Sequence, residues 1–98
     1  MKFSLEVKQE ALADMTEAFD WYENQRSGLG SEFLNEVENY FTKITKTPEH
    51  YQKHNEFHIA VMNRFPFKIV YEIERKSIVV YAVFHAKRNP KILSKRKK

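Results

Sequence analysis

The sequence contains no cysteine, and glycine and proline are scarce, with two and three residues in a chain of 98. Without cysteine there can be no disulfide, no thiolate metal site and no cysteine nucleophile. The scarcity of glycine and proline argues against low complexity and disorder. Because a small secreted domain usually depends on disulfides, the composition favours a cytoplasmic protein.

Long apolar runs are also missing. The first residues, Met1 to Glu6, lack the apolar core of a signal peptide, and no stretch has the apolar length that crosses a bilayer. We therefore expect no contact with a membrane. Hydrophobic residues nevertheless make up 42% of the chain and aromatic residues 14%. This is enough for the core of a single domain over residues 1–98.

The charge is distributed unevenly along the chain. Residues 1–50 contain five Lys or Arg and ten Asp or Glu, a net charge of −5, whereas residues 51–98 contain twelve and three, a net charge of +9. The basic half is the natural surface for phosphate or another polyanion. A solvated basic face with a frayed, lysine-rich end explains the same pattern without a ligand. We expect this basic end, at about residues 91–98, to be flexible.

The N-terminal half predicts a strand followed by two helices. Residues 3–7 alternate between apolar and polar, the pattern of a half-buried strand. From residue 9 the apolar spacing changes to three and four, and the predicted helical stripe is Leu12, Met15, Phe19 and Tyr22. Asp14 then falls on the polar side. The glycines at 28 and 30 favour a turn, Ser31 is the predicted N-cap of the second helix, and Pro48 ends that helix.

The C-terminal half predicts three strands. Large apolar residues recur at every second position over 57–61 and 67–73, the period of a strand. Residues 78–84 are apolar on both faces, as in a strand buried on both sides. The connections are short, so these strands should form an antiparallel meander. The predicted order is β-α-α-β-β-β. A helical hairpin packed on a small, mainly antiparallel sheet buries all the apolar stripes, which gives an α+β fold.

Several motifs spread over nearly the whole chain resemble the RelE/ParE superfamily of small bacterial toxins. They are residues 18–23 (AFDWYE), 28–34 (GLGSEFL), 44–48, 64–71 (RFPFKIVY), 78–85 and 88–90 (RNP). Segment 64–71 is the most specific, because it is similar to the FPY-type motif of the family. The resemblance implies the toxin of a type II toxin–antitoxin, or plasmid stabilisation, system. It also implies a cognate antitoxin as partner, and it is closest to the ParE-type branch.

The resemblance implies one of two activities. ParE-like members poison DNA gyrase, and RelE-like members cut mRNA on the ribosome. The family often has Arg at the position of His58, and the Lys/Arg cluster that nuclease members use to hold the scissile phosphate is incomplete here. We therefore expect, in order, inhibition of a macromolecular target such as gyrase by binding, a metal-independent endoribonuclease, and a non-toxic homologue that only binds protein. No cofactor and no small-molecule substrate is implied.

Candidate site residues lie mainly in the last two predicted strands and the basic segment. In a nuclease, His85 would be the acid or base, because histidine changes charge near pH 7. Arg64 and Arg88 would stabilise the phosphate. Further candidates for binding, two lysines for phosphate and two tyrosines for stacking on a base, are Lys68, Lys87, Tyr71 and Tyr81. The structural alternatives are a histidine that only ends a strand, arginines paired with carboxylates, and tyrosines in the core.

Three histidines, His50, His54 and His58, are spaced by four, which on a helix would align metal ligands. Pro48 and the strand pattern that begins near Phe57 disfavour a continuous helix there. We therefore expect no metal site.

Overall fold

A computed structural model describes residues 3–88 and 91–97 and contains the predicted strand, helix pair and meander. The elements are β1 (Ser4–Val7), α1 (Gln9–Gln25), α2 (Leu29–Lys46), a 3-10 helix (Pro48–His50), β2 (Gln52–His54), β3 (Phe57–Val61), β4 (Phe67–Glu74), β5 (Ser77–His85) and α3 (Ile92–Lys97). The 3-10 helix, β2 and α3 are additions to the prediction, and α3 falls within the segment expected to be a basic tail. The last two residues of the RNP motif and residue 98 lie outside the described residues.

In the described part of the chain, five strands form one sheet in the order β1-β5-β4-β3-β2. Strands β3 to β5 form the predicted antiparallel meander, and β2 adds a further antiparallel strand to it. β1 instead pairs in parallel with β5. A parallel partner needs a long connection, and here the whole intervening chain supplies it. The sheet is therefore mixed, and mainly antiparallel as predicted.

The two faces of the sheet are covered differently. α1 and α2 pack on one face, where the largest fully buried side chains include Phe33, Val37, Ile44, Ile69, Tyr71 and Ile78. The opposite face carries a smaller apolar cluster, to which α3 contributes Leu93. β5 is buried on both faces, as its composition predicts. No helix in the described ranges is long and apolar enough to cross a membrane.

Helix α1 is rotated relative to the predicted stripe. Its buried residues are Ala11, Asp14 and Ala18, whereas Leu12 is 49% exposed. The predicted places of Leu12 in the core and of Asp14 on the polar side are therefore wrong. The two alanines let the helix backbone approach the sheet closely, and Asp14 has polar partners that compensate its burial.

The turn between α1 and α2 depends on its glycines and on one carboxylate. Gly28 has a φ of 89°, in the left-handed region that glycine adopts at little cost. The Glu23 carboxylate accepts hydrogen bonds from the N–H groups of Gly28 at 2.8 Å and Gly30 at 2.9 Å. These bonds satisfy donors that the first turn of a helix leaves without intrahelical partners. The helix thus begins at Leu29, and the prediction of Ser31 as N-cap is wrong.

Candidate functional site

A groove of about 570 Å³ lies between the C-terminal half of α1 and the end of β5, and is called here the α1–β5 groove. Its apolar lining residues are Ala18, Trp21, Tyr22, Pro66, Phe67, Val83 and Phe84, and its charged or titratable ones are Asp14, Glu17, His85 and Arg88. Trp21 is 59% exposed. A concave, mainly apolar surface with a few convergent polar groups is the usual form of a binding site.

The RFPF part of the family motif forms the wall opposite α1. Phe65 is buried, with its ring centre 4.9 Å from that of Tyr22 and 5.3 Å from that of Phe33. This anchor holds Pro66 and Phe67 against the groove, and the Pro66 carbonyl accepts a hydrogen bond of 2.8 Å from the N–H of residue 86. Because Pro66 accepts this hydrogen bond, the motif positions the turn after β5. On the other wall, burial raises the pKa of the Tyr22 hydroxyl.

His85 is the last residue of β5 and is exposed at the mouth of the groove. Its ring centre lies 5.5 Å from that of Phe67. Its Nδ1 accepts a hydrogen bond of 3.2 Å from the backbone N–H of Lys87. In the neutral ring the proton is then on Nε2, which leaves a donor rather than a proton acceptor at that atom. The arrangement suits contact with an anion better than removal of a proton through Nε2.

Arg88 lies in the turn after β5 and approaches the buried Asp14, with 3.7 Å between its Nη1 and Oδ1 of Asp14. The same carboxylate accepts two hydrogen bonds from Arg96 of α3, at 2.5 and 3.0 Å, and one from the N–H of Val83 at 3.0 Å. The side chains of Asp14 and Arg96 are only 6% and 9% exposed. Sequence patterns did not reveal this cluster. The signal that could have found it is the position of Asp14 three residues after Ala11 and four before Ala18, both buried in the structure.

Arg64 does not line the groove. It pairs with Glu32 of α2, and its guanidinium lies 5.4 Å from the centre of the Phe65 ring. Arg26 also approaches Glu32, at 3.4 Å. The pKa of the Glu32 carboxyl is lowered, first by the hydrogen bond from Arg64. The charge of Arg64 is therefore already matched within the protein.

The two candidate lysines lie on different elements. Lys87 is exposed in the turn beside His85. Lys68 of β4 has its Nζ 5.7 Å from the centre of the Phe84 ring, which the Arg88 guanidinium also approaches, at 5.9 Å. Lys68 lines a second groove that includes Phe57, Ile59 and residues 91 and 93. Of the four candidate cations, Lys87 and Arg88 are the two that lie in the turn directly after His85.

Tyr71 and Tyr81 are core residues. Tyr71 is 0% exposed and donates a hydrogen bond of 2.5 Å to the carbonyl of Pro48, and burial raises its pKa. Tyr81 is 4% exposed and donates to Glu72 at 3.5 Å and Glu74 at 3.3 Å. Neither ring presents a face on which a base could stack, so the structural alternative describes both.

The three spaced histidines lie on different elements: His50 in the 3-10 helix, His54 in β2 and His58 in β3. The described ranges contain no group of three or more His, Asp or Glu placed to hold a metal ion. His58 is buried and stacked on Tyr71, with ring centres 5.4 Å apart. Among the described residues its Nδ1 is buried without a hydrogen-bond partner, and burial lowers its pKa.

Comparison with solved structures shows the same fold in three bacterial proteins. The chain matches the chromosomal ParDE toxin–antitoxin system of P. aeruginosa with a TM-score of 0.76 and 13% identity, over 86% of this chain and 96% of that one. It matches a double mutant of the E. coli toxin RelE in the free state with a TM-score of 0.68 and 12% identity, over 98% and 94%. It matches the RelBE2 toxin–antitoxin complex of Mycobacterium tuberculosis with a TM-score of 0.58 and 13% identity, over 87% and 99%.

Comparison with curated protein sequences gives no match. Comparison with protein families gives the family described as ParE toxin of type II toxin–antitoxin system, parDE, over residues 5–90. The match takes in α1, α2 and, except for the first residue of β1, all five strands of the described sheet. The chain therefore belongs to the ParE toxin family, within the RelE/ParE superfamily.

Proposed function

We propose that this protein is a cytoplasmic toxin that inhibits a macromolecular target by binding, with DNA gyrase as the first candidate. The observation that carries this proposal is that Arg64 and Lys68, two of the four candidate cations, do not line the groove of His85. Arg64 is paired with Glu32, and Lys68 lies over the Phe84 ring and lines the second groove. Cleavage of RNA requires an acid or base and several cations at one phosphate, whereas binding does not.

The α1–β5 groove supports a protein target. Its apolar wall includes an indole, Trp21, that is 59% exposed, and buried interface contacts are enriched in Trp, Tyr and Arg. Arg88 and His85 stand at the same groove and offer donors to a carboxylate or phosphate. We therefore place the target contact at this groove.

We propose a cognate antitoxin as the second partner, through an acidic segment. Residues 51–98 carry a net charge of +9, which an acidic segment would oppose. β1 is paired only with β5, and β2 only with β3, in the described sheet. Each edge thus offers backbone groups to an added strand. Co-purification with the product of the neighbouring reading frame, at low and high salt, tests this, and no association at any salt concentration would contradict it.

Three assays test the proposed function. Expression of the chain alone should arrest bacterial growth, and co-expression of the neighbouring frame should relieve the arrest. Purified protein should then inhibit supercoiling by purified gyrase and leave mRNA on translating ribosomes intact in a toeprinting assay. Normal growth at high expression would favour a homologue that only binds protein.

Ribosome-dependent mRNA cleavage is the second candidate. The observation in its favour is that His85 and Arg88 line the same groove, which joins a titratable ring to a cation. Codon-specific cleavage in the toeprinting assay, with supercoiling unaffected, would reverse the order of the two candidates.

A further inference from the structure

We infer that Arg96 keeps Arg88 available for an anion by neutralising Asp14, which makes Asp14 and Arg96 positioning residues for the α1–β5 groove. The inference rests on the proposed role of this groove in binding. It also assigns a function to α3. Arg96 of this helix does not itself line the groove, but it contacts Asp14, which does. The argument depends on the reason for the burial of Asp14 and on the competition of two arginines for its carboxylate.

Asp14 is buried because the edge of β5 is incomplete. β1 pairs with β5 only as far as Val7 opposite Val80, whereas β5 continues to His85. Beyond Val80, the N–H of Val83 donates to Asp14 at 3.0 Å, and the carbonyl of Tyr81 accepts from Arg96 at 3.2 Å. The two side chains thus take the hydrogen-bonding positions of a missing strand, and buried backbone groups need such partners. This arrangement places a carboxylate at the base of the groove.

The two arginines do not share this carboxylate equally. Arg96 holds Asp14 through two hydrogen bonds at 2.5 and 3.0 Å and is 9% exposed. Arg88 stands at 3.7 Å and is 40% exposed. One carboxylate balances one positive charge, and the bidentate contact is the stronger. Arg88 therefore keeps its charge at the mouth of the groove, where Asp14 and the Phe84 ring, 5.9 Å from its guanidinium, set its direction.

Removal of the charge of Arg96 should change this balance. The buried Asp14 carboxylate would be left uncompensated, which is unfavourable, and Arg88 is the cation that already approaches it. Arg88 would then move inward to replace Arg96 and would be lost to a ligand. Neutralising Asp14 at the same time would remove the reason for that movement, so a second substitution should restore what the first one impairs.

The test uses inorganic phosphate as the probe and the full chain labelled with ¹⁵N-arginine. The side-chain N–H signal of Arg88, assigned with Arg88→Lys, is followed during titration. We expect Arg96→Gln to weaken the phosphate affinity at Arg88 about fivefold, the upper range for one exposed charge contact. The double variant Asp14→Asn, Arg96→Gln should return to within about twofold of the wild type on the same scale. Lys95→Gln, which removes one exposed charge from the same helix, should have the effect of general electrostatics alone.

An unchanged affinity in Arg96→Gln, or a double variant as weak as Arg96→Gln, would overturn the inference. Circular dichroism establishes that each variant is folded, and the double variant decides the matter if Arg96→Gln alone does not fold: wild-type affinity supports the inference, and weak affinity contradicts it. The titration needs neither gyrase nor growth arrest. Absence of toxicity in the wild type would therefore remove the proposed function while leaving this result to stand on its own.

Discussion

Gly30 lies in direct contact with Phe19, so that a Cβ at residue 30 would be 2.7 Å from both the ring and the carbonyl oxygen of Phe19. The two helices therefore approach so closely at this point that no side chain larger than that of glycine fits at residue 30. We expect Gly30→Ala to lower the free energy of unfolding by about 1–3 kcal/mol, the usual effect of an overpacked contact. Urea denaturation measures it.

The matched control for that substitution is Gly28→Asn. Gly28 has a left-handed φ, but a Cβ there would meet no atom of the described residues within 4 Å. Asn tolerates this conformation better than other side chains do, so its effect should be the smaller. Equal losses at both positions would mean that backbone conformation, and not the contact with Phe19, dominates this turn.

His58 should make stability depend on pH. Burial lowers its pKa in the folded protein, Lys53 lowers it further and Glu49 opposes them. The unfolded chain therefore binds the proton more readily. The contribution of neutral His58 to the stability should be fully present above about pH 6.5, the pKa of free histidine. It should be lost as the pH falls from there through the lowered pKa of the folded state.

His58→Phe keeps a ring against Tyr71 and removes the titrating group. We expect its urea midpoint to change less than that of the wild type as the pH falls from 7 into the acid range. His54→Phe, at an exposed position of β2, should keep the wild-type dependence. A pH profile that His58→Phe leaves unaltered would contradict the assignment.

Tyr71 should matter for stability and not for binding. Its hydroxyl donates to the Pro48 carbonyl and so ties the 3-10 helix after α2 to the sheet. Tyr71→Phe should cost about 0.5–1.5 kcal/mol of unfolding free energy, the net worth of a typical internal hydrogen bond. Tyr81→Phe should cost less, because the hydrogen bonds of the Tyr81 hydroxyl are longer, at 3.3 and 3.5 Å. Thermal unfolding gives both values, and loss of target inhibition by a fully folded Tyr71→Phe protein would point to a ligand role instead.

Trp21 should be an anchor of the target contact. Truncation of such a residue in an interface costs about tenfold or more in affinity, so Trp21→Ala should raise the concentration that half-inhibits gyrase by at least that factor. Leu12→Ala is the control, since Leu12 is exposed on the same helix but does not line the groove. Trp21 is also the one tryptophan of the sequence, so its fluorescence should change when the target binds. Similar losses in both variants would argue against this groove.

His85→Ala distinguishes binding from catalysis. In the proposed function, it should change gyrase inhibition by no more than a few-fold, the scale of one exposed contact. In a nuclease, loss of a general acid or base would lower the cleavage rate by about a hundredfold or more. Measuring supercoiling and toeprinting with the same preparation of the variant separates these outcomes, and Arg88→Ala serves as the companion that should weaken binding.

The three strands of the predicted meander were predictable because their pattern is local. Residues 78–84 are apolar on both faces, and the structure buries them on both sides of β5. The buried face of helix α1 was predicted less well, because the burial of Asp14 depends on Arg96, which is far away in sequence. The helix that carries Arg96 lacks a long apolar stripe of its own, and its Leu93 packs in the smaller apolar cluster.

The site was predictable only in part for a similar reason. His85 and Arg88 are neighbours in sequence, so their proximity follows from the end of β5. Arg64 was expected to join them, but the Glu32 carboxylate on α2 holds it instead. Charge alone did not indicate which carboxylate would take which arginine. Trp21 was visible only as part of a motif, because exposure of an aromatic side chain is decided by the rotation of its helix.

The parallel pairing of β1 with β5 has a consequence for the order of folding. β5 lies between β1 and β4, so β1 cannot join the rest of the sheet until β5 is in place. Such distant pairings are slow to form, because a long loop must close first. β5 also supplies Val83, Phe84 and His85 to the lining of the α1–β5 groove. Until β5 is in place, α1 faces no opposite wall, so the binding surface forms late in folding, together with the closure of the sheet.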